Sequence, residues 1–210
     1  MLGKPEIEYF YSPHSAFAYI GASLLQTITI RTGARVIHRP FNLERVVTAT
    51  SGRYFGSQSE RHRQYFFDRE IERWAEYRKM PIVNFRPSFH DEDMKLPACL
   101  LIAAQEHDYN VDQLSLAILQ AHWRDDANIA DYGFLLGLLN GLGIDGASLL
   151  DKANDPHCLD LYERNTTEAI GRSVFGSPTY FVKGDMFYGQ DRLELVERAL
   201  NQPFAGNWPK

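Results

Sequence analysis

The sequence predicts an α/β fold in which the two ends of the chain build a small sheet and a large helical block lies between them. Three observations support this. A strand–helix–strand pattern opens the 210-residue chain, a strand–strand–helix pattern closes it, and helical periodicity fills the middle. The corresponding division places residues 1–45 and 173–210 in the sheet domain and residues 46–172 in an all-helical insertion.

The opening segment predicts a β-α-β unit. Ile7–Tyr11 is a short apolar and aromatic run that ends at Ser12-Pro13, as a buried strand does. Ala16–Thr32 carries apolar residues at helical spacing, and Gly33 follows it where a helix C′ glycine is expected. Ala34–Pro40 predicts the second strand. Because such units are almost always right-handed, we expect the two strands to be parallel.

The closing segment predicts a hairpin and a helix. Thr179–Val182 and Met186–Tyr188 flank a tight Lys-Gly-Asp turn, and Gln190–Leu200 is amphipathic. The order β-α-β, helical block, β-β-α is the arrangement of a thioredoxin-like fold with a helical insertion. Within the block, the Pro-rich stretch Met80–Asp93 is long for a loop, which is typical of a functional segment.

Composition excludes several classes of function. The net charge is −5 and the only basic run is residues 61–63, which argues against nucleic acid or an anionic membrane as the partner. The longest apolar run, Ala98–Ala104, is too short to span a membrane, and the N-terminus has no signal-peptide pattern, so we expect a cytoplasmic protein.

Neither the cysteines nor the histidines show metal-ligand spacing. Cys99 and Cys158 form no CxxC motif, which disfavours a redox dithiol and a structural zinc site. The seven histidines form no HxxxH or HExxH pair, so the sequence predicts no metal site. Residues 90–93 (HDED) are interpreted as a solvated acidic loop.

The start of the first long helix is the predicted chemical centre. Unpaired backbone N–H groups and the helix dipole stabilise an anion there. Ser15 occupies this position, either as an ordinary N-cap or as a hydroxyl that faces a thiolate or oxyanion. His14 precedes it and either acts as an acid or base or packs over the helix start.

A second feature is Ser177-Pro178, directly before the hairpin strand. A cis bond here would present the Ser177 backbone as an open strand edge that a peptide-like ligand can pair with, whereas a trans bond would make it an ordinary strand entry.

Four segments together resemble the 2-hydroxychromene-2-carboxylate isomerases, and are similar to kappa-class glutathione transferases, within the DsbA-like thioredoxin superfamily: FYSPHSAFAYIG, RWAEYRKMPIVNF, FGSPTYFV and MFYGQDRLELVERAL. The resemblance spans the whole chain. It implies a homodimer that isomerises a small aromatic substrate of the hydroxybenzylidene-pyruvate type in aromatic-compound catabolism, with glutathione as cofactor.

The resemblance also implies residue roles. A serine hydroxyl faces the glutathione sulfur; alignment without a gap makes it Ser15, with Ser12 as the lesser candidate. Where the family has Ser-Pro, this chain has Ser15-Ala16. Ser177, next to Pro178, is expected to bind the cysteinyl backbone of glutathione. The γ-glutamyl end is expected at the start of the last helix, on Gln190 and Asp191.

Other interpretations remain open on sequence alone. No Asn occupies residues 50–53, where kappa-class enzymes use one to bind glutathione. The alternatives are a kappa-like glutathione transferase that conjugates electrophiles or, because this Asn and the Pro of the family's Ser-Pro are both missing, a non-catalytic thioredoxin-fold binding module. The residues proposed for the substrate pocket are three arginines for a carboxylate and three aromatic side chains for its walls: Arg53, Arg61, Arg86, Trp74, Phe85 and Phe89.

Overall fold

The structure, a computed structural model, describes residues 4–51 and 59–206. Its centre is a four-stranded mixed sheet in the order β2-β1-β3-β4. The strands are β1 (Glu6–Tyr11), β2 (Arg35–Pro40), β3 (Thr179–Val182) and β4 (Asp185–Tyr188). β1 runs parallel to β2 and antiparallel to β3, and β3 and β4 form an antiparallel hairpin. The predicted parallel pair and hairpin are confirmed.

Helices surround this sheet and fill the segment between β2 and β3. They are α1 (Ala16–Thr32), α2 (Leu43–Ser51), α3 (Glu60–Arg63), α4 (Glu70–Arg78), α5 (Lys95–Glu106), α6 (Val111–Trp123), α7 (Tyr132–Gly141), α8 (Gly146–Ala153), α9 (Pro156–Gly171) and α10 (Leu193–Asn201). A π-helical turn, Gln64–Arg69, joins α3 to α4. The predicted α/β class is confirmed, while the division into two domains stays a prediction.

Helix α1 has the boundaries that its sequence predicts, because both ends carry local capping signals. The Ser15 side chain accepts a hydrogen bond from the Ala18 N–H at 3.2 Å. At the other end Gly33 adopts a φ of 67°, and its N–H donates to the Thr29 carbonyl at 2.9 Å. One face of the helix, including Tyr19 and Ile20, is fully buried. The N-terminus of α1 is thereby fixed at the end of β1.

The last helix begins later than predicted. Residues Gln190–Arg192 form a 3₁₀ turn, and α10 starts only at Leu193. Gly189 causes the difference, since its φ of 102° and ψ of 150° are accessible essentially to glycine alone. Its N–H donates to the Pro178 carbonyl at 2.9 Å, which holds the turn against the start of β3.

Replacing Gly189 with alanine is expected to lower the free energy of unfolding by about 1–3 kcal/mol, because of the backbone strain at this φ. A Cβ would also lie 2.4 Å from Asp191 Oδ1, so the carboxylate must move. Urea denaturation measures the loss. Gly171→Ala is the matched control, since a Cβ there meets nothing within 4 Å. Equal stabilities of the two variants would show that the turn tolerates a side chain.

Candidate active site

A cavity of about 730 Å³ opens at the N-terminus of α1. One wall is the start of α1, with His14, Ser15 and Phe17. The second wall runs from Arg63 to Lys79, and the third is the irregular stretch that follows, residues 80–86 with His90. The volume lies within the range of small-molecule sites in proteins. The Pro-rich stretch has no helix or strand between residues 80 and 93, as predicted, and it lines this cavity.

Ser15 and Ser177 meet at the floor of the cavity. The Ser15 hydroxyl donates to the Ser177 carbonyl at 3.1 Å, and the Ser177 hydroxyl accepts from the Ser12 N–H at 3.0 Å. The Ser177–Pro178 bond is cis, one of the two alternatives that the sequence leaves open. Ser177 therefore joins Ser12 and Ser15 at the helix start, although it lies far from both in the sequence. Ser15 and Ser177 line the cavity and Ser12 does not, which favours Ser15 over Ser12 as the serine that faces a ligand.

Three histidines pack together beside Ser15. His14 Nδ1 lies 2.9 Å from the Ser12 hydroxyl, and His90 Nδ1 lies 2.9 Å from His122 Nε2. The rings of His14 and His90 meet edge-on with centroids 4.8 Å apart, and those of His90 and His122 stack at 5.2 Å. The Trp123 indole N–H donates to the His14 carbonyl at 2.9 Å, which anchors the loop before α1 to α6.

All three histidines are neutral at physiological pH. Burial is the largest cause: it lowers the pKa of His14 to about 3, of His90 to about 2 and of His122 to about 4. Neighbouring histidines and the Arg86 guanidinium lower the pKa values of His14 and His90 further, and the Asp91 carboxylate opposes them in part. A neutral imidazole has one donor and one acceptor nitrogen.

Sequence analysis missed this cluster. The acidic run at residues 90–93 is correctly placed in a loop, but His90 turns inward and contacts His14 and His122 instead of facing solvent. No spacing signal connects the three, because they come from the β1–α1 loop, the irregular stretch and α6. Only the tertiary fold brings them together.

The proposed carboxylate ligands are partly supported by their positions. Arg86 lines the cavity but already pairs with Asp91, with Nη1 to Oδ2 at 2.7 Å. Arg61 does not line the cavity, and Arg53 lies outside the described residues. Two unpredicted cations, Arg63 and Lys79, do line it.

The proposed aromatic walls also differ from the prediction. Phe85 lines the cavity, whereas Trp74 and Phe89 do not. Instead, Phe17 packs against Phe66 of the π-helical turn, with ring centroids 5.3 Å apart. Phe66 and its neighbour Phe67 both line the cavity.

Gln190 and Asp191 do not line the cavity. The Gln190 side chain is buried against α1, where a Cβ on Gly21 would lie 2.8 Å from it, and its Oε1 accepts from Arg78 Nε at 3.2 Å. The Asp191 carboxylate pairs with Arg192. Their predicted contact with glutathione stays a prediction, as does the effect of residues 50–53, of which residues 52 and 53 lie outside the described residues.

The described residues hold no metal-binding group of side chains, no membrane-spanning helix and no exposed cysteine. Within residues 4–51 and 59–206, no three His, Cys, Asp or Glu side chains are arranged to hold a metal ion. In the same part of the chain, every helix is too short or too polar to cross a bilayer. Cys99 and Cys158 are buried, burial raises the pKa of both thiols, and neither lines the cavity.

Residues 6–201 match the family model of the DSBA-like thioredoxin domain. The chain belongs to the DSBA-like thioredoxin family. Among curated relatives, this DSBA-like chain is 27% identical over 195 residues to the 2-hydroxychromene-2-carboxylate isomerase of Sphingobium xenophagum. The alignment covers 92% of this chain and 97% of that protein. The enzyme of the same name from Pseudomonas sp. (strain C18) is 24% identical, with 92% and 89% covered.

Solved structures show the same fold. A 2-hydroxychromene-2-carboxylate isomerase structure superimposes with a TM-score of 0.78 at 19% identity and covers 94% of the DSBA-like chain and 95% of its own. The cytosolic disulfide reductase DsbM from Pseudomonas aeruginosa, solved with GSH, superimposes with a TM-score of 0.63 at 21% identity. The superposition covers 94% of this chain and 93% of the DsbM chain. The resemblance to the 2-hydroxychromene-2-carboxylate isomerases within the DsbA-like superfamily is therefore confirmed, and so is the thioredoxin-like fold, whereas the similarity to kappa-class glutathione transferases stays a prediction.

Proposed function

We propose that this chain is a glutathione-dependent isomerase of the 2-hydroxychromene-2-carboxylate class, in which Ser15 stabilises the glutathione thiolate. The observation that carries the proposal is the position of Ser15. Its hydroxyl caps α1 and lines a cavity of about 730 Å³ opposite the Ser177 carbonyl. The names of the curated relatives support the reaction class. The DsbM structure with GSH supports the cofactor, since that protein shares the fold.

The polar groups at the cavity floor fit a peptide-like thiol. The Ser15 hydroxyl has one proton, and it donates that proton to the Ser177 carbonyl at 3.1 Å. A cysteinyl amide N–H can replace it as the donor to Ser177, in the manner of an added strand. The Ser15 proton then becomes available to a thiolate at the N-terminus of α1, where the helix dipole adds to the stabilisation.

The cavity also suits an anionic aromatic substrate. Phe17, Phe66 and Phe67 supply apolar wall, and Arg63 and Lys79 make no ion pair with any residue in the described ranges. We assign these two cations to the carboxylates of the cofactor and the substrate.

When bound, glutathione supplies a thiolate that adds reversibly to an electron-poor carbon–carbon double bond and leaves unchanged. The chain's own residues hold and orient the reactants. The Ser15 hydroxyl donates a hydrogen bond to the sulfur, Ser177 holds the cysteinyl backbone, and the phenylalanine walls shield the reacting atoms from water. We assign the contact with the γ-glutamyl amine to Asp191 because its carboxylate has the complementary charge, and binding there requires Asp191 to exchange its partner Arg192 for the amine. We further propose that the chain forms a homodimer, is cytoplasmic and acts in aromatic-compound catabolism.

Calorimetric titration of reduced glutathione into the purified chain tests the cofactor, and a spectroscopic assay on a hydroxychromene-carboxylate equilibrium mixture tests the reaction. We expect one glutathione site per chain and a glutathione-dependent approach to equilibrium without net consumption of thiol. Stoichiometric consumption of glutathione with an electrophile, and no isomerisation, would indicate a transferase. Absence of binding at millimolar glutathione would contradict the proposal and favour the peptide-binding module.

A further inference from the structure

The histidine cluster of His14, His90 and His122 has no part in the thiolate chemistry proposed above, although two of its members line the same cavity. His14 and His90 each use Nδ1 for their hydrogen bond. Across residues 4–51 and 59–206, no group forms a hydrogen bond with Nε2 of either ring, and neither Nε2 is a buried atom lacking a partner. Two imidazole nitrogens beside Ser15 are thus available to a ligand.

We propose that His14 and His90, backed by His122, bind the substrate's hydroxyl oxygen and carry the proton that moves between its two oxygens. The inference rests on the function proposed above. It assigns to the chain a second group of catalytic residues, on the oxygen side of the substrate, whereas Ser15 serves the sulfur side. The substrate of the proposed function is a cyclic hemiketal that carries a carboxylate and opens to an ortho-hydroxyaryl ketone, so it presents two oxygens between which a proton must move.

The proton balance of ring opening defines the role. In a 2-hydroxychromene-2-carboxylate, one carbon bears the hydroxyl, the carboxylate and the ring oxygen. When the bond from that carbon to the ring oxygen breaks, its electron pair stays on the oxygen. The hydroxyl loses its proton and becomes a ketone carbonyl, and the ring oxygen gains a proton and becomes a phenol. One proton changes oxygen, and no oxidant, reductant or external acid is needed.

The pairing within the cluster suits this transfer. Since His90 Nδ1 and His122 Nε2 share one proton across 2.9 Å, His90 is an acceptor at Nε2 in one tautomer and a donor there in the other. The Ser12 hydroxyl lies 2.9 Å from His14 Nδ1 and can donate or accept a hydrogen bond there. His14 can therefore also be an acceptor or a donor at Nε2, depending on its tautomer. Each ring can therefore take a proton from one oxygen and return one to the other.

Burial, more than the neighbouring charges, keeps the rings neutral until an anion enters. The charged groups that face the cluster are Arg86, Asp91 and, at His122, Asp126. A substrate carboxylate in the cavity adds negative charge nearby and so raises the pKa values of the imidazoles toward the working range.

The first test needs neither glutathione nor turnover. Calorimetry compares two unreactive probes, ortho-hydroxyphenylpropanoate and phenylpropanoate, with wild type and with His14→Phe and His90→Phe. We expect wild type to bind the hydroxyl-bearing probe about tenfold more tightly, equivalent to about 1.4 kcal/mol, and both variants to lose that preference. Phenylalanine keeps the ring packing. His157→Gln, on the exposed surface of α9, is the control and should keep the preference.

The second test separates proton transfer from binding. We expect His14→Phe to lower the isomerisation rate about 100-fold while the glutathione Kd and the thiol pKa of bound glutathione stay at their wild-type values. His14→Gln can still hydrogen-bond the oxygen but cannot relay a proton, so it should restore the probe preference without restoring the rate. It also serves as the second variant if a phenylalanine variant does not fold.

The outcomes distinguish this inference from the proposed function. If wild type binds glutathione and isomerises the substrate, and the histidine variants keep both rate and probe preference, the histidine assignment is wrong and the proposed function stands. If wild type binds no glutathione but shows the histidine-dependent preference for the hydroxyl probe, the oxygen subsite is supported and the cofactor proposal fails. Absence of any preference in wild type overturns the subsite.

Discussion

Replacing Ser15 with alanine is expected to lower the isomerisation rate by about 10²–10³-fold, the usual cost of removing one preorganised donor from a developing anion. The physical reason is the loss of the hydroxyl that donates across 3.1 Å to the Ser177 carbonyl and, in the proposed complex, to the glutathione sulfur. The thiol pKa of bound glutathione should rise in the variant, since only the helix N-terminus then stabilises the thiolate. Ultraviolet absorbance of the thiolate as a function of pH measures that pKa directly.

The same substitution also removes the N-cap of α1, which costs about 1 kcal/mol of stability. Ser15→Asp separates the two effects, because aspartate is a good N-cap but its carboxylate repels a thiolate. We expect Ser15→Asp to keep more of the free energy of unfolding than Ser15→Ala does. The thiol pKa of bound glutathione should nevertheless rise, so that the thiolate is lost at neutral pH. Ser23→Ala is the matched control, since Ser23 lies on the exposed side of α1 and does not line the cavity. Wild-type rates in Ser15→Ala would remove Ser15 from the mechanism.

Local signals explain why much of the fold follows from the sequence. The boundaries of α1 depend on Ser15 and Gly33, each of which acts on backbone groups within four residues of itself. The β3–β4 hairpin likewise depends on the short turn at residues 183–184, where both residues adopt positive φ. The start of α10 differs from the prediction because the amphipathic pattern continues through Gln190, whereas a 3₁₀ turn follows the positive φ of Gly189 before the helix begins.

The site was predictable only where it lies on the fold's own framework. Ser15 and Ser177 meet because β1 and β3 are neighbours in the sheet, which the topology implies. The His14 cluster and the Phe66 wall depend on how the helical block packs over the α1 N-terminus, and no spacing in the chain encodes this. The π-helical turn at residues 64–69 also lacked a sequence signal, although it brings two consecutive phenylalanines to the cavity.

Acidification is expected to destabilise the protein through the buried histidines, well above the pH at which most carboxylates titrate. The three native pKa values, about 3, 2 and 4, lie below the ordinary value of 6.5. Between the native pKa of each histidine and 6.5, the unfolded chain therefore binds more protons than the native chain. The free energy of unfolding consequently falls as the pH falls through about 6.5. The slope is about 1.4 kcal/mol per pH unit for each histidine, so their joint loss amounts to several kcal/mol.

Urea denaturation from about pH 7 to about pH 4.5 measures this slope in a window where paired carboxylates contribute little. Asp91 and Asp126 have lowered pKa values, so their contribution to the pH dependence of the free energy of unfolding falls below this window. The double variant His14→Phe/His90→Phe should have a shallower slope than wild type, because neither ring then takes up a proton on unfolding. His157→Gln, outside the cluster, should keep the wild-type slope. A double variant as acid-sensitive as wild type would mean that His14 and His90 are protonated in the native state, and the neutral relay proposed for the substrate's oxygens would then lack its acceptor nitrogens.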